Sequence, residues 1–349
     1  MAILGAMPTG RRAFLGAAAA AVAAACAPRG ASVPETLGQS LGPPETTTIR
    51  IDAIVGCDPW TWLADDFFKE EGFTDVRYAD QASLVSSAGV ASGRSDIDVN
   101  IGNDLAARVD AGYPIVALAG THTGCIELWA RPGINSLRDL RGKRVVVYKK
   151  DILDDLFYGL WVSFLASVGI DRSEVQFAED DDSSHTSIDY FLNGRADAIL
   201  ASITEGPALR ASPNTPGRLV VDFGMDKPWS QQFCCLLVAN SDWAKAHPNA
   251  TKRATRAVLR AIDQGAKDRA GAVVAAVQKQ VPDAADPQLL LEAIKSLNYG
   301  WRDFDPEETL RFYALRLADA KLLKKPPSRI IAEGTDFAFF RQMQKELKA

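Results

Sequence analysis

The sequence predicts an α/β protein of two doubly wound lobes joined by two crossing strands, with a helical C-terminal tail. Three observations carry this. Short β-branched runs alternate with helical segments of about ten residues, the rhythm of parallel sheets covered on both faces. The rhythm runs twice, over about 80 and then about 90 residues, each long enough for a core of its own. After a return strand at 233–239 the chain turns strongly helical.

The elements follow in order. Residues 48–55 (TIRIDAIV) alternate and are rich in β-branched side chains, so they read as the first strand. The breaker cluster Gly56-Cys57-Asp58-Pro59-Trp60 then leads into a helix near 61–71. Strands are expected at 75–79, 96–102 and 113–120, with helices at 81–93 and up to Ala111 between them. The second unit opens with a loop and one helical turn, then a strand within 133–148 and a helix over 153–168. A short strand at 175–177, a helix from Ser187 to Gly194 and strands at 196–202 and 218–223 complete it. The crossings are expected at 126–131 and 232–238. Tail helices are expected at 241–247, 251–279, 287–296, 306–320 and 334–349.

Composition narrows the function classes. The 349 residues are 47% apolar and 24% charged, with net charge -5, ordinary for a soluble globular chain. A pI near 5.4 and the lack of a basic stripe exclude a nucleic-acid partner. Residues 9–27 (TGRRAFLGAAAAAVAAACA) combine paired arginines, a short Ala-rich run and a cysteine among small residues, which marks an export signal. The run from Ala13 to Ala25 falls short of the roughly 20 residues a membrane span needs. Arg11-Arg12-Ala13-Phe14-Leu15 resembles a twin-arginine signal, and Ala23-Ala24-Ala25-Cys26 resembles a lipobox with Cys26 as the lipidated residue. Residues 27–47 are Pro-, Gly- and Thr-rich and read as a tether.

Residues 134–147 (INSLRDLRGKRVVV), 193–200 (NGRADAIL) and 241–261 (SDWAKAHPNATKRATRAVLRA) resemble, in order, phrases of extracytoplasmic solute-binding proteins of ABC importers. The branch they resemble is the nitrate, sulfonate and taurine type, which includes thiamine-precursor binders. The resemblance implies a periplasmic-binding-protein-like fold: 48–127 plus 236–349 as lobe one, 128–235 as lobe two. It further implies capture of a small solute in the cleft and delivery to a membrane permease, by a periplasmic monomer without cofactor or catalysis.

In open α/β sheets ligands sit beyond the carboxyl ends of strands, where helix N-termini offer unpaired N–H groups. That rule nominates Cys57, Asp58, Trp60, Trp62, Asn103, Asp104, His122, Thr123 and Cys125 in lobe one. In lobe two it nominates Lys149, Ser202, Thr204 and Glu205, with Ser183, Ser184 and His185 nearby, and Trp229 and Gln232 before the second crossing. The tryptophans would clamp a flat or aliphatic solute, or pack as core anchors. Asn103 and Asp104 would face the cleft or cap a helix. Glu205 would meet a cationic or N–H-rich end, and Lys149 a carboxylate or sulfonate. His122 and Cys125 make half a metal site with no second pair along the chain, so no metal is expected.

Besides Cys26, the cysteines are Cys57, Cys125, Cys234 and Cys235. Cys125 pairing with Cys234 or Cys235 is one reading; buried free thiols are the other. The sequence carries no Gly-x-Ser-x-Gly, His-Glu-x-x-His or phosphate loop. Alternatives to transport are a pyrimidine-precursor-synthase-like enzyme, faintly echoed in Phe233-Cys234-Cys235, and a periplasmic ligand sensor.

Overall fold

A computed structural model describes residues 41–52, 56–79, 87–179 and 187–346. The export signal with Cys26, the tether up to residue 40, the start of the 81–93 helix, and Ser183, Ser184 and His185 lie outside the described residues.

The larger sheet contains β1 (Thr48–Ile51), β2 (Asp75–Tyr78), β3 (Ile97–Ile101), β4 (Ile115–Thr123) and β10 (Phe233–Asn240), in the order β2-β1-β3-β10-β4. β1 runs parallel to β2 and β3, and β10 is inserted antiparallel between β3 and β4. Every residue of β4 and β10 is buried, which is why 115–119 and 233–239 read as unbroken apolar runs. The smaller sheet contains β5 (Glu127–Ala130), β8 (Ala198–Ala201) and β9 (Arg218–Asp222), with β5 antiparallel to both neighbours. β6 (Arg144–Val147) and β7 (Gln176–Glu179) pair in parallel beside it. The Asp197 amide donates to the Arg144 carbonyl at 2.8 Å and stitches β6 to β8. The resulting order β7-β6-β8-β5-β9 repeats the plan of the larger sheet. Each lobe takes its fourth strand from beyond a crossing.

This corrects two expectations. The sheets are mixed rather than parallel, because the strand in fourth place arrives from the other lobe and must run the opposite way. The segments expected to cross lie each within one sheet: β5 wholly in the smaller, β10 wholly in the larger. Phe233, Cys234 and Cys235 therefore belong with the first lobe's sheet. The chain crosses instead at 124–126 and 223–232. The two crossings touch at Gly124 and Gly224, where a Cβ on Gly124 would lie 2.7 Å from the Gly224 Cα. Gly124 also has φ +74°, so this contact needs glycine twice over.

Fourteen helices occur among the described residues. α1 (Trp60–Leu63), α2 (Asp65–Glu70), α3 (Ala88–Ser92) and α4 (Gly102–Ala111) serve the first lobe; α5 (Leu156–Ser167), α6 (Ser187–Leu192) and α7 (Glu205–Ala211) serve the second. The tail carries α8 (Ser241–Ala246), α9 (Pro248–Lys267), α10 (Arg269–Gln278), α11 (Pro287–Ser296), α12 (Pro306–Asp319), α13 (Pro327–Gly334) and α14 (Ala338–Glu346). The helix expected over 251–279 breaks at Asp268, whose carboxylate accepts the Gly271 amide at 2.8 Å and caps α10. α7 forms where a Gly-Pro break was expected, because Pro207 sits in the first turn, whose amides need no intrahelical partner. α12 packs against both α4 and α5, and α11 against α7, so the tail bears on both lobes.

Candidate functional site

The carboxyl ends of β1 and β4 and the start of β10 converge on one buried cluster. Asp58 and His122 are 0% exposed, and His122 Nε2 lies 3.6 Å from Asp58 Oδ2. Among the described residues, neither Asp58 oxygen has a hydrogen-bond partner, nor has His122 Nε2. The Cys57 and Cys235 sulfurs are 3.8 Å apart. The Tyr299 hydroxyl donates to the Cys57 carbonyl at 2.9 Å, and its ring meets His122 edge-on at 5.5 Å. Thr121 Oγ1 donates to the Cys235 carbonyl at 3.0 Å and the Thr123 amide to Asn298, holding the β4 end in place. Ligand atoms of Cys57, His122, Cys125 and Cys235 all lie within 4.8 Å of one another. Cys125, however, is disulfide-bonded to Cys234, while Cys57 and Cys235 are free.

Electrostatics within the cluster follow from its burial. Desolvation opposes charging His122, but the Asp58 carboxylate overrides it and raises the imidazole to about 10. The Cys235 thiol, donating to Cys57, draws the latter down to about 7 against burial, with His122 helping. The same contact, together with burial, pushes Cys235 up.

A small cavity of about 20 Å³ lies alongside, at the junction of the lobes. Phe164 of α5 and Phe223 and Trp229 of the second crossing line it: Phe164 stacks on Phe223 at 4.2 Å between centroids, and Trp229 meets Phe223 edge-on at 5.2 Å. Phe233, Tyr313 and Gln232 line the facing side. Trp229 Nε1 and Gln232 Oε1 are buried there without a hydrogen-bond partner among the described residues. No charged side chain among the described residues lines it.

The other nominated residues are dispersed. Trp60 and Trp62 are 0% and 2% exposed and line no part of the cavity; Trp62 packs among Val273, Ala276, Leu290 and Ile294. Asn103 Nδ2 donates across the junction to the Leu156 carbonyl. Asp104 pairs with Arg108 at 2.8 Å and accepts from Asn100, while burial raises its carboxyl despite Arg108. Lys149 is exposed and pairs with Asp154 at 2.6 Å. Thr204 precedes α7 as its N-cap. The Glu205 carboxylate accepts the Ser202 amide at 2.7 Å and hydroxyl at 2.9 Å, and the Ser187 hydroxyl at 3.3 Å. Ser202 also lines a second small cavity with Gly124, Cys125 and Gly224 at the crossings.

Cys57 is among the strand-end candidates, but its meeting with Cys235 at His122, and Phe164, Phe223 and Tyr313 as cavity walls, escaped the sequence reading. Cys57 comes from the turn after β1 and Cys235 from β10, so no spacing announces them. Aromatics inside elements read as core, and nothing local marks those facing a cavity.

Comparison with known proteins defines the class. The alkanesulfonate-binding protein SsuA from Xanthomonas axonopodis pv. citri superposes with TM-score 0.65 at 15% identity, covering 84% of this chain and 99% of that one. The periplasmic nitrate-binding protein NrtA from Synechocystis PCC 6803 gives TM-score 0.65 at 13% identity, covering 88% and 90%. A Candida albicans gene product with the generic periplasmic binding protein structural fold gives 0.60 at 14%, covering 83% and 96%. The fold is therefore that of periplasmic binding proteins. No curated protein matches the chain. The NMT1/THI5-like family model matches residues 63–272, more than half the chain, and the protein belongs to that family.

Proposed function

We propose that the chain is the solute-binding component of an ABC importer, which captures a small organic solute between its lobes and delivers it intact to a membrane permease. The observation that carries this is the aromatic cavity at the lobe junction, with one orphaned donor, Trp229 Nε1, and one orphaned acceptor, Gln232 Oε1. Buried polar atoms left unpaired cost on the order of 1–3 kcal/mol each, so a guest supplying both partners is strongly favoured. The apolar, uncharged wall suits a compact, flat or aliphatic solute with a donor and an acceptor. In this reading the paired arginines near the N-terminus direct export, Cys26 carries a lipid anchor, and the protein works as a periplasmic monomer.

Native mass spectrometry of freshly purified protein tests the proposal. The expected spectrum holds a one-to-one complex with a small solute, lost in the doubly substituted Trp229→Phe, Gln232→Ala protein. A bare chain that also stays bare after incubation with a small-molecule extract would count against capture. Chemical turnover of the retained solute would transfer the protein to the enzyme reading.

A further inference from the structure

We propose that Cys57, His122 and Cys235 form a binding site for a thiophilic d10 cation, Zn²⁺, with Asp58 beside the imidazole. The proposal is independent of the solute reading, since it rests on a different set of side chains.

Geometry is the first argument. Tetrahedral zinc with Zn–S bonds of about 2.3 Å sets its two sulfurs about 3.8 Å apart. Cys57 and Cys235 stand at 3.8 Å, far beyond a disulfide bond yet matched to a shared cation. The imidazole ligand atom lies within 4.8 Å of both sulfurs. Three separate segments supply these donors: the turn after β1, the end of β4 and the start of β10. The paired strands β4 and β10 put Cys235 opposite His122 in register.

The second argument is the polar atoms left over. Asp58 and His122 are completely buried, and among the described residues the carboxylate has the imidazole at 3.6 Å as its counter-charge, with no hydrogen bond to either oxygen or to Nε2. A buried carboxylate held by one such long contact is expensive, and a cation among its neighbours offsets that cost. The Thr123 carbonyl, 3.4 Å from Nδ1, stands where the outer partner that fixes ring orientation at zinc sites is found, while Asp58 lies beside Nε2. On binding, the two thiols and the His122 imidazolium release their protons to solvent and coordinate as thiolates and a neutral imidazole.

Two thiolates and one imidazole are the protein ligand set that leaves zinc one open position. Cys125 is within reach but is held by Cys234, so in the disulfide-bonded chain it is no ligand. Reduction of that bond would add a third sulfur and close the site.

The test uses metal-stripped mature protein with its disulfide intact. Calorimetric titration with ZnCl₂ should give one equivalent. Co²⁺ should give the near-ultraviolet charge-transfer absorption of bound thiolates. Cys57→Ser and Cys235→Ser should each weaken Zn²⁺ binding at least 100-fold, and Asp58→Asn by about 10–100-fold. Because these variants could misfold, wild-type protein supplies a second readout. Zn²⁺ should slow alkylation of Cys57 and Cys235, located by peptide mapping. Overturning results are no protection of either thiol, Zn²⁺ affinity unchanged in the Cys57→Ser, Cys235→Ser double variant, or recovery of Cys57 and Cys235 joined as a disulfide from freshly purified protein.

Discussion

Asn103 Nδ2 donates to the Leu156 carbonyl at 2.9 Å, tying the first turn of α4 in one lobe to the first turn of α5 in the other. The Arg108 guanidinium reaches the Leu153 carbonyl alongside at 3.2 Å. Removing the Asn103 side chain should loosen the contact between the lobes. A single hydrogen bond is worth about 1 kcal/mol net, or roughly a fivefold shift toward an open form. Solution scattering should show a larger radius of gyration for Asn103→Ala; an identical curve would take this contact out of lobe closure.

Gly159 faces the same bond. A Cβ there would lie 2.4 Å from Asn103 Nδ2, so Gly159→Ala displaces the Asn103 amide from its partner. Gly159→Ala should reproduce the Asn103→Ala scattering change. The double variant should open no further, because both substitutions remove one interaction. Additive effects would show that Gly159 acts by another route.

Glu205→Gln should cost stability rather than affinity. Its carboxylate accepts from Ser202 twice and from Ser187, bracing the turn from β8 into α7. The amide that replaces one oxygen cannot accept, so a loss of about 1–2 kcal/mol is expected in denaturant unfolding. Solute affinity by calorimetry should stay within about twofold, well under the 1.4 kcal/mol of a tenfold change. A tenfold weaker affinity at unchanged stability would return Glu205 to the solute site.

Cys125 and Cys234 close a loop with a sequence separation of 109. Cys125→Ser with Cys234→Ser should lower stability by about 2–4 kcal/mol, the range typical for a bond that restrains the unfolded chain. The check is unfolding with and without reductant, in wild type and variant. Reductant should move the wild type toward the variant.

Asp98 imposes a pH dependence. Burial first, then the nearby Asp52 charge, raises its carboxyl to about 8, while the Ser87 and Val99 amides partly oppose the shift. The folded value lies above the unfolded value of about 3.9, so this contribution is complete below pH 4 and is lost as pH rises through 8. The slope due to this group should reach at most about 1.4 kcal/mol per pH unit across that window. Asp98→Asn should flatten unfolding free energies measured from pH 5 to 8; an unchanged slope would show that Asp98 is ionised throughout.

The alternation of β-branched runs and helical segments located nearly every element, and the unbroken apolar character of 115–119 and 233–239 reflects their burial on both faces. Local chemistry also placed helix starts such as Pro287 behind Asp286 and Pro306 behind Asp305, where a carboxylate accepts the first amides. It did not reveal the break at Asp268, because an apolar stripe continues through it and only the cap geometry ends the helix. Nor did it separate the two roles open to Trp60 and Trp62. An indole at a helix start looks the same whether it meets solute or core.

Residue order alone determined the α/β class, the two-unit plan, the helical tail and the positions around Asp58, His122 and Gln232 where a site had to be sought. These depend on patterns within a few turns or one strand, which a linear reading can see. Tertiary structure decided that β10 runs backwards between β3 and β4, that Cys125 pairs with Cys234, and that Cys57 meets Cys235 and His122. Each of those outcomes joins segments tens to hundreds of residues apart. Strand pairing sets which side chains meet at that range, and no local preference encodes it.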